Sequence, residues 1–276
     1  MNIVLLDGPM GSELVRRGVE APGRAWSANA LDFAGGVIGR IHGDYVAAGA
    51  TVHTANTFRT QRRAVGPRWE GLARRALRIA RESVPAEHRV AASIAPVEDC
   101  YRPDLSPGAA ARPEHAALAR VLADAGADVL LCETFPNALE AEVAVEEAVR
   151  TGVETWVSLT AGPTASLMTP ADMARAALRC ARAGARAVLV NCTPAPATLA
   201  YVRPLVDLGL PVGAYANAGD PGAGIGWTSD GGGGAEAYAS IALRWLEAGA
   251  TILGGCCGTG PAHIAALARA LGARRR

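Results

Sequence analysis

The chain contains no lysine: all 27 of its basic residues are arginine. That absence excludes Schiff-base aldolase chemistry, a lysine-anchored pyridoxal phosphate and a P-loop, each of which needs a primary amine. Net charge is nearly absent too, because 27 basic residues face 26 acidic ones and leave a formal charge of +1. No long-range field remains to attract nucleic acid or an anionic membrane surface, so neither is expected as a partner. Long apolar runs are also missing. The opening stretch MNIVLLDGP has no basic n-region and only the short apolar run Ile3 to Leu6, which predicts neither a signal peptide nor a membrane span and hence a cytoplasmic setting. In that setting the six cysteines read as free thiols or metal ligands, not as a disulfide framework.

What is present is a regular alternation. Half of the 276 residues are hydrophobic, enough for a sizeable core. Apolar, β-branched runs alternate with Ala/Leu/Arg/Glu-rich segments of helical period, which indicates βα units and a parallel sheet. The strands are predicted at Ile3–Leu6, Thr51–Ala55, Val90–Ile94, Val129–Cys132, Thr155–Leu159, Ala187–Val190, Val212–Tyr215 and Thr251–Leu253. Helices are predicted at Ala138–Val149, Ala171–Ala183 and Ala235–Ala248, among others. The tripeptide Ala-Gly-Ala recurs at 48–50, 125–127, 183–185 and 248–250, each time at a helix end, where glycine accepts the left-handed backbone of a C-terminal stop. Eight units in one chain of this length point to a single (β/α)8 TIM barrel over residues 1–273, with 274–276 a disordered tail. A doubly wound open sheet is the competing architecture.

In a barrel, function lies where strands end and the following loops begin. Those positions hold Asp7, Asn56, Glu133, Thr160, Asn191 with Cys192, Asn217, and Cys256 with Cys257, an almost wholly polar set behind apolar strands. The stretch GGCCGTGPAHI, 254–264, is the most specific. Adjacent residues on a regular strand face opposite ways, so two neighbouring thiolates reach one ion only where the strand has ended and the backbone turns. An open catalytic zinc site takes three protein ligands. Cys192, which also ends an apolar run and is one strand removed from the Cys256/Cys257 pair in a closed ring, is the best third. The same cysteines also suit plain packing or a redox pair, although CC lacks the CxxC spacing.

Five stretches together resemble the zinc- and thiol-dependent homocysteine S-methyltransferases: LLDGPMGSEL (5–14), AGATVHTANTFRT (48–60), CETFPN (132–137), NCTP (191–194) and GGCCGTGPAHI. RAWSANAL (24–31) and YANAG (215–219) fit as well. The resemblance implies a TIM barrel in which Cys192, Cys256 and Cys257 hold Zn²⁺ while Asp7 and Glu133 bind the ammonium group of homocysteine, and methyl transfer to its thiol gives methionine. Three thiolates would leave the zinc site at net charge −1, so an entering thiol loses its proton yet stays electron-rich. Asp7 also suits a cap for the helix beginning near Met10. Backbone N–H groups of Met10 and Gly11 are placed to receive a substrate carboxylate, and Asn191 and Asn217 to orient the site, or simply to form turns.

The methyl donor expected from this pattern is a small sulfonium, S-methylmethionine or S-adenosylmethionine, since one barrel uses the whole chain and leaves no room for a corrinoid or folate domain. Betaine fits the same charge argument. Another thiol or selenol acceptor, and a barrel whose cysteines merely store or sense metal, are the rival functions. The loop at 95–108 departs from the family in being proline-rich and short, and it carries Cys100, expected to be a chance loop cysteine. Cys132 and Cys180 read as core residues, and 219–234 as a mobile lid. His42, His53, His88 and His115 have no metal-ligand spacing, and His263 is expected on a helix surface.

Overall fold

In the computed structural model, residues 3–20, 23, 25–227 and 232–274 are described; Arg24, residues 228–231 of the expected lid, and residues 275 and 276 of the expected tail lie outside them. Eight parallel strands run β1 (Val4–Leu5), β2 (Val52–Ala55), β3 (Arg89–Ile94), β4 (Val129–Phe135), β5 (Thr155–Leu159), β6 (Ala187–Pro194), β7 (Val212–Asn217) and β8 (Ile252–Leu253). Each pairs with its sequence neighbour, and β1 pairs with β8. A parallel bridge from Leu6 to Val52, with Asp7 N–H donating to Val52 O at 3.0 Å, joins β1 to β2 and closes the ring. The TIM barrel is borne out and the open sheet is not.

Helices cover the outside. Ala138–Val149 forms as expected, and Pro170–Arg182 and Gly232–Glu247 differ from expectation by a few residues at their ends. Asn137 caps the first of these, its side chain accepting from the N–H groups of Leu139 and Glu140, and Thr169 caps the second, each satisfying donors that the first helical turn leaves orphaned. The final helix runs Pro261–Arg274. No described helix is long and apolar enough to cross a membrane.

Strand alternation divides the core in two. Leu6, Val52, Ala91, Val129, Leu131, Leu189 and Ile252 fill the barrel, while Leu5, Val90, Leu130, Val188 and Leu253 face the helices. Three strands, β4, β6 and β7, run past their predicted ends, and β4 and β6 do so through a break in register. In β4 the shift lies between Cys132 and Phe135, and in β6 between Asn191 and Pro194. Thr134 (φ 63°) and Cys192 (φ 49°) take the left-handed backbone there, a conformation that side chains other than glycine adopt at a cost. The bulges turn consecutive side chains toward the mouth of the barrel, where regular strands would alternate.

Gly213 on β7 sits inside the barrel where a Cβ would come within 2.4 Å of Leu189 Cδ2 and 3.0 Å of Ile252 Cβ. Gly213→Ala is therefore expected to destabilise the fold by about 1–3 kcal/mol through overpacking. A urea midpoint indistinguishable from wild type would show that the interior has room to spare.

Candidate metal and substrate site

The strand ends converge on one cavity of about 600 Å³, lined among others by Asp7, Met10, Gly11, Glu133, Asn191, Cys192, Cys256 and Cys257. Cys192 enters from the β6 bulge. Cys256 and Cys257 follow β8, where Cys256 N–H donates to Ala216 O at 2.9 Å and Cys257 O accepts from Ala218 N–H at 2.9 Å. The glycines around the pair serve two purposes. Gly254 is needed for close approach, because a Cβ there would lie 2.6 Å from Leu6 Cβ, whereas Gly258 (φ 82°) supplies the left-handed turn.

One sulfur from each of the three cysteines lies within 4.8 Å of the others. Cys192 and Cys256, with Cα atoms 5.8 Å apart, bring their sulfurs into contact, and Cys257 lies beside them. Burial pushes the Cys257 thiol up to about 11, so it carries its proton at neutral pH until a cation displaces it. Asn191 buttresses the trio: its Nδ2 donates to Thr134 Oγ1 at 2.8 Å and reaches Cys192 Sγ at 3.5 Å, and its Oδ1 accepts from Ser158 Oγ at 2.9 Å. Asn217 spends both ends of its amide on backbone, donating to Cys192 O at 3.0 Å and accepting from Gly219 N–H at 2.8 Å. It clamps the bulge and is absent from the cavity wall.

Two buried carboxylates face this sulfur cluster. Glu133 accepts from Ser93 Oγ on one oxygen and from Tyr215 OH at 2.8 Å on the other. Asp7 accepts from Thr54 N–H at 2.8 Å. It does not cap the helix Met10–Arg16, whose N-cap, Pro9, has no side-chain hydrogen bond to it. Burial raises both carboxyls above the ordinary range, and the proximity of Glu133 raises Asp7 further. Neither has an ion-pair partner among the described residues. Two desolvated acids without a cation form a receptor for one.

The remaining walls were not legible in the linear sequence. Ser93 and Tyr215 occupy inward positions of β3 and β7, a signal present in strand alternation once the register is known. Trp26 lies over Gly11, whose missing side chain admits its ring: a Cβ there would be 2.1 Å from the indole. Phe58 meets Trp26 edge to face with centroids 6.4 Å apart. The 95–108 loop brings Cys100 and Tyr101 to the cavity, so Cys100 is a cavity residue and not a stray one. Arg59 and Gln61 hold this loop through the carbonyls of Pro96, Glu98 and Ala95. Glu140 holds it through Val97 N–H at 2.8 Å and Ser106 Oγ. Cys132 and Cys180 pack in the outer core as expected.

Two expectations require correction. His263 is buried; its Nε2 lies 2.6 Å from Ile225 O, because the loop after β7 folds across the first turn of the last helix. In the described part of that loop, Trp227 N–H donates to Gly258 O at 2.9 Å and Trp227 Nε1 to Gly219 O at 2.7 Å. His42, His53 and His88 are far apart in sequence but meet in space: His53 Nε2 is 3.0 Å from His88 Nδ1, and the His42 and His53 rings lie edge to face at 6.4 Å. Helix and strand geometry create that meeting, and linear spacing cannot display it.

A family model described as homocysteine S-methyltransferase matches residues 4–271. The chain belongs to that family. The methyltransferase is 32% identical to the homocysteine S-methyltransferase YbgG of Bacillus subtilis (strain 168), over 98% of its own length and 95% of the relative's. It is 31% identical to homocysteine S-methyltransferase 4 of Zea mays, over 97% and 89% respectively. Among solved structures it resembles the homocysteine methyltransferase MmuM of Escherichia coli in its metallated form, with a TM-score of 0.81 at 28% identity, covering 98% of this chain and 96% of that one. Its TM-score to the oxidized form of MmuM is 0.82.

The two acids give the methyltransferase a pH signature. Each folded-state pKa lies above its unfolded value, so between the two the folded state holds the extra proton and loses stability as pH rises. His42 and His53, pushed down to about 3 and about 4 by burial, act in the opposite direction, gaining stability with rising pH. A difference measurement reads Glu133 together with the part of the Asp7 shift that Glu133 causes. Relative to Glu133→Gln, the unliganded wild type is expected to lose stability as pH rises above about 4, until the raised folded-state value is passed, followed by urea denaturation. A constant difference across that range would show that Glu133 is not perturbed.

Proposed function

We propose that this methyltransferase transfers a methyl group to the thiol of homocysteine, giving methionine, with Zn²⁺ held by Cys192, Cys256 and Cys257. The observation that carries this reading is one cavity with three convergent sulfurs facing two buried, cation-free carboxylates. A tetrahedral zinc with Zn–S bonds of about 2.3 Å needs sulfurs roughly 3.8 Å apart, which suits a trio within 4.8 Å. A donor set of sulfur alone favours a soft or borderline ion over magnesium or calcium.

When bound, zinc offers an open position that lowers the pKa of an entering thiol. The chain does the rest. Asp7 and Glu133 pair with the ammonium group, and Ser93, Tyr215 and Thr54 hold those carboxylates in place. Backbone N–H groups of Met10 and Gly11 receive the carboxylate. Asn191 and Asn217 keep Cys192 aimed inward. The homocysteine sulfur, its proton lost, attacks the donor methyl carbon in line. A new S–C bond forms as the old C–S⁺ bond breaks, and that bond's electron pair returns to the leaving sulfur.

The donor in this reading is a small sulfonium, S-methylmethionine or S-adenosylmethionine. Trp26 and Tyr101 line the cavity beside Asp99, and aromatic rings beside a carboxylate favour a cation; Phe58 and Glu98 of the same wall are already engaged by Arg59 and Arg63. Free thiols at Cys100, Cys132 and Cys180 accord with a reducing, cytoplasmic setting.

Replacing Cys192, Cys256 or Cys257 singly by alanine is expected to abolish turnover and zinc retention while circular dichroism stays near wild type. X-ray absorption of the reduced wild type should give a sulfur-dominated first shell. A nitrogen or oxygen shell, or full activity in all three variants, would refute the zinc assignment. A donor panel with reduced, zinc-loaded enzyme and homocysteine tests the other half. Methionine is expected with either sulfonium, and turnover with betaine or methylfolate alone would overturn the donor.

A further inference from the structure

Beneath the Asp7 wall of the cavity lies a second set of metal-ligating side chains, on elements that carry none of the cysteines. His42 is on the helix Gly35–Ala47, His53 is on β2, and Asp7 follows β1. All three are buried, and one ligand atom from each lies within 4.8 Å of the others. Both ring nitrogens of His42, and Nδ1 of His53, have no hydrogen-bond partner. Buried polar atoms are nearly always paired, so two buried rings with unpaired nitrogens beside Asp7 call for a ligand.

We propose that Asp7, His42 and His53 form a second metal site, for a borderline divalent ion such as zinc, cobalt or nickel, and that its occupant competes with the substrate ammonium group for Asp7. Two imidazoles and a carboxylate are the donors such ions take. Ligating imidazoles commonly engage their other nitrogen in a hydrogen bond that fixes the ring, and His53 does this through Nε2, 3.0 Å from His88 Nδ1. Burial favours the neutral form of both rings, with His42 pushed down to about 3 and His53 to about 4, so no proton need be displaced from an imidazolium. On Asp7, Oδ2 accepts from Thr54 N–H, and a carboxylate carries further lone pairs that an ion can use. Asp7 also lines the cavity, which gives an ion its way in.

Competition follows from shared use of one carboxylate. A divalent ion on Asp7 neutralises the charge that would otherwise pair with the amine, so excess metal raises the concentration of amino acid needed and leaves the sulfur site alone. This consequence rests on the ammonium role proposed for Asp7; the existence of the site does not.

The test begins with reduced protein holding one zinc per chain, titrated with further Zn²⁺ or Co²⁺ at equilibrium dialysis. Wild type is expected to take a second equivalent, and His53→Leu and His42→Gln to stop at one. The second cobalt should add d–d absorption without thiolate charge-transfer intensity, a signature that a merely structural role for the histidines would not produce. In kinetics, free zinc at four times the second-site dissociation constant should raise the apparent KM for homocysteine about fivefold in wild type. It should leave KM of His53→Leu unmoved and kcat of both unchanged. A wild type saturating at one equivalent, or both variants retaining the second, would overturn the site. A second ion that leaves KM unchanged would overturn the competition. Wild type that methylates no thiol at all would count against the functional reading, while the dialysis result would still decide whether the site exists.

Discussion

Closure of the barrel rests on the two shortest strands in the sheet, β1 and β8. β1 contributes Val4 and Leu5 to the ladder with β8, and Leu6 bridges to Val52. Because the chain's first strand is held between its last and its second, Asp7 arrives beside the glycines that precede the cysteine pair, with Gly255 N–H donating to Asp7 O at 3.1 Å. Residues almost 250 positions apart thereby share one wall. The apolar filling of Leu6, Val52 and Ile252 stabilises the seam, since each such side chain contributes about 1.5–3 kcal/mol on burial. Loosening the seam would separate the first carboxylate from the sulfurs.

Against that rigid frame, the site is held in an electrostatically costly state. Burying an ionised carboxylate costs several kcal/mol unless a partner offsets it, and Asp7 and Glu133 share a cavity in which neither has an ion-pair partner among the described residues. Hydrogen bonds from Ser93, Tyr215 and Thr54 reduce that cost and fix where the oxygens point. The sulfurs add to it once a cation displaces their protons, because thiolates in a buried pocket also favour a positive occupant. An amino acid ammonium group and a soft divalent ion answer the two halves of this imbalance. The same logic carries over to the histidines below Asp7, where the shortfall is in hydrogen-bond partners.

Strained backbone marks the places that aim these groups. Thr134 and Cys192 adopt left-handed backbone at the two register breaks, and Asn191 and Asn217 hold the second of them from side chain and backbone. Such outliers persist only where surrounding contacts over-determine them. Here they explain how Cys192 turns inward next to Asn191, which also faces inward.

The sequence by itself determined the eight-unit alternation, the helix stops at the repeated Ala-Gly-Ala, and the positions of Asp7, Glu133, Cys192, Cys256 and Cys257 at strand ends. Those features are local: apolar period, glycine punctuation and residue type can all be read along the chain. The ends of β4 and β6 were not legible, because a bulge continues a strand through residues that read as loop. Nor were the roles of Ser93, Tyr215 and Trp26, which depend on register and on what a neighbouring glycine leaves open. The meeting of His42, His53 and His88, and the burial of His263, were decided by the tertiary structure alone. Contacts between a helix face and a strand face are set by packing angle and register, and neither quantity is written in the spacing of residues along the chain.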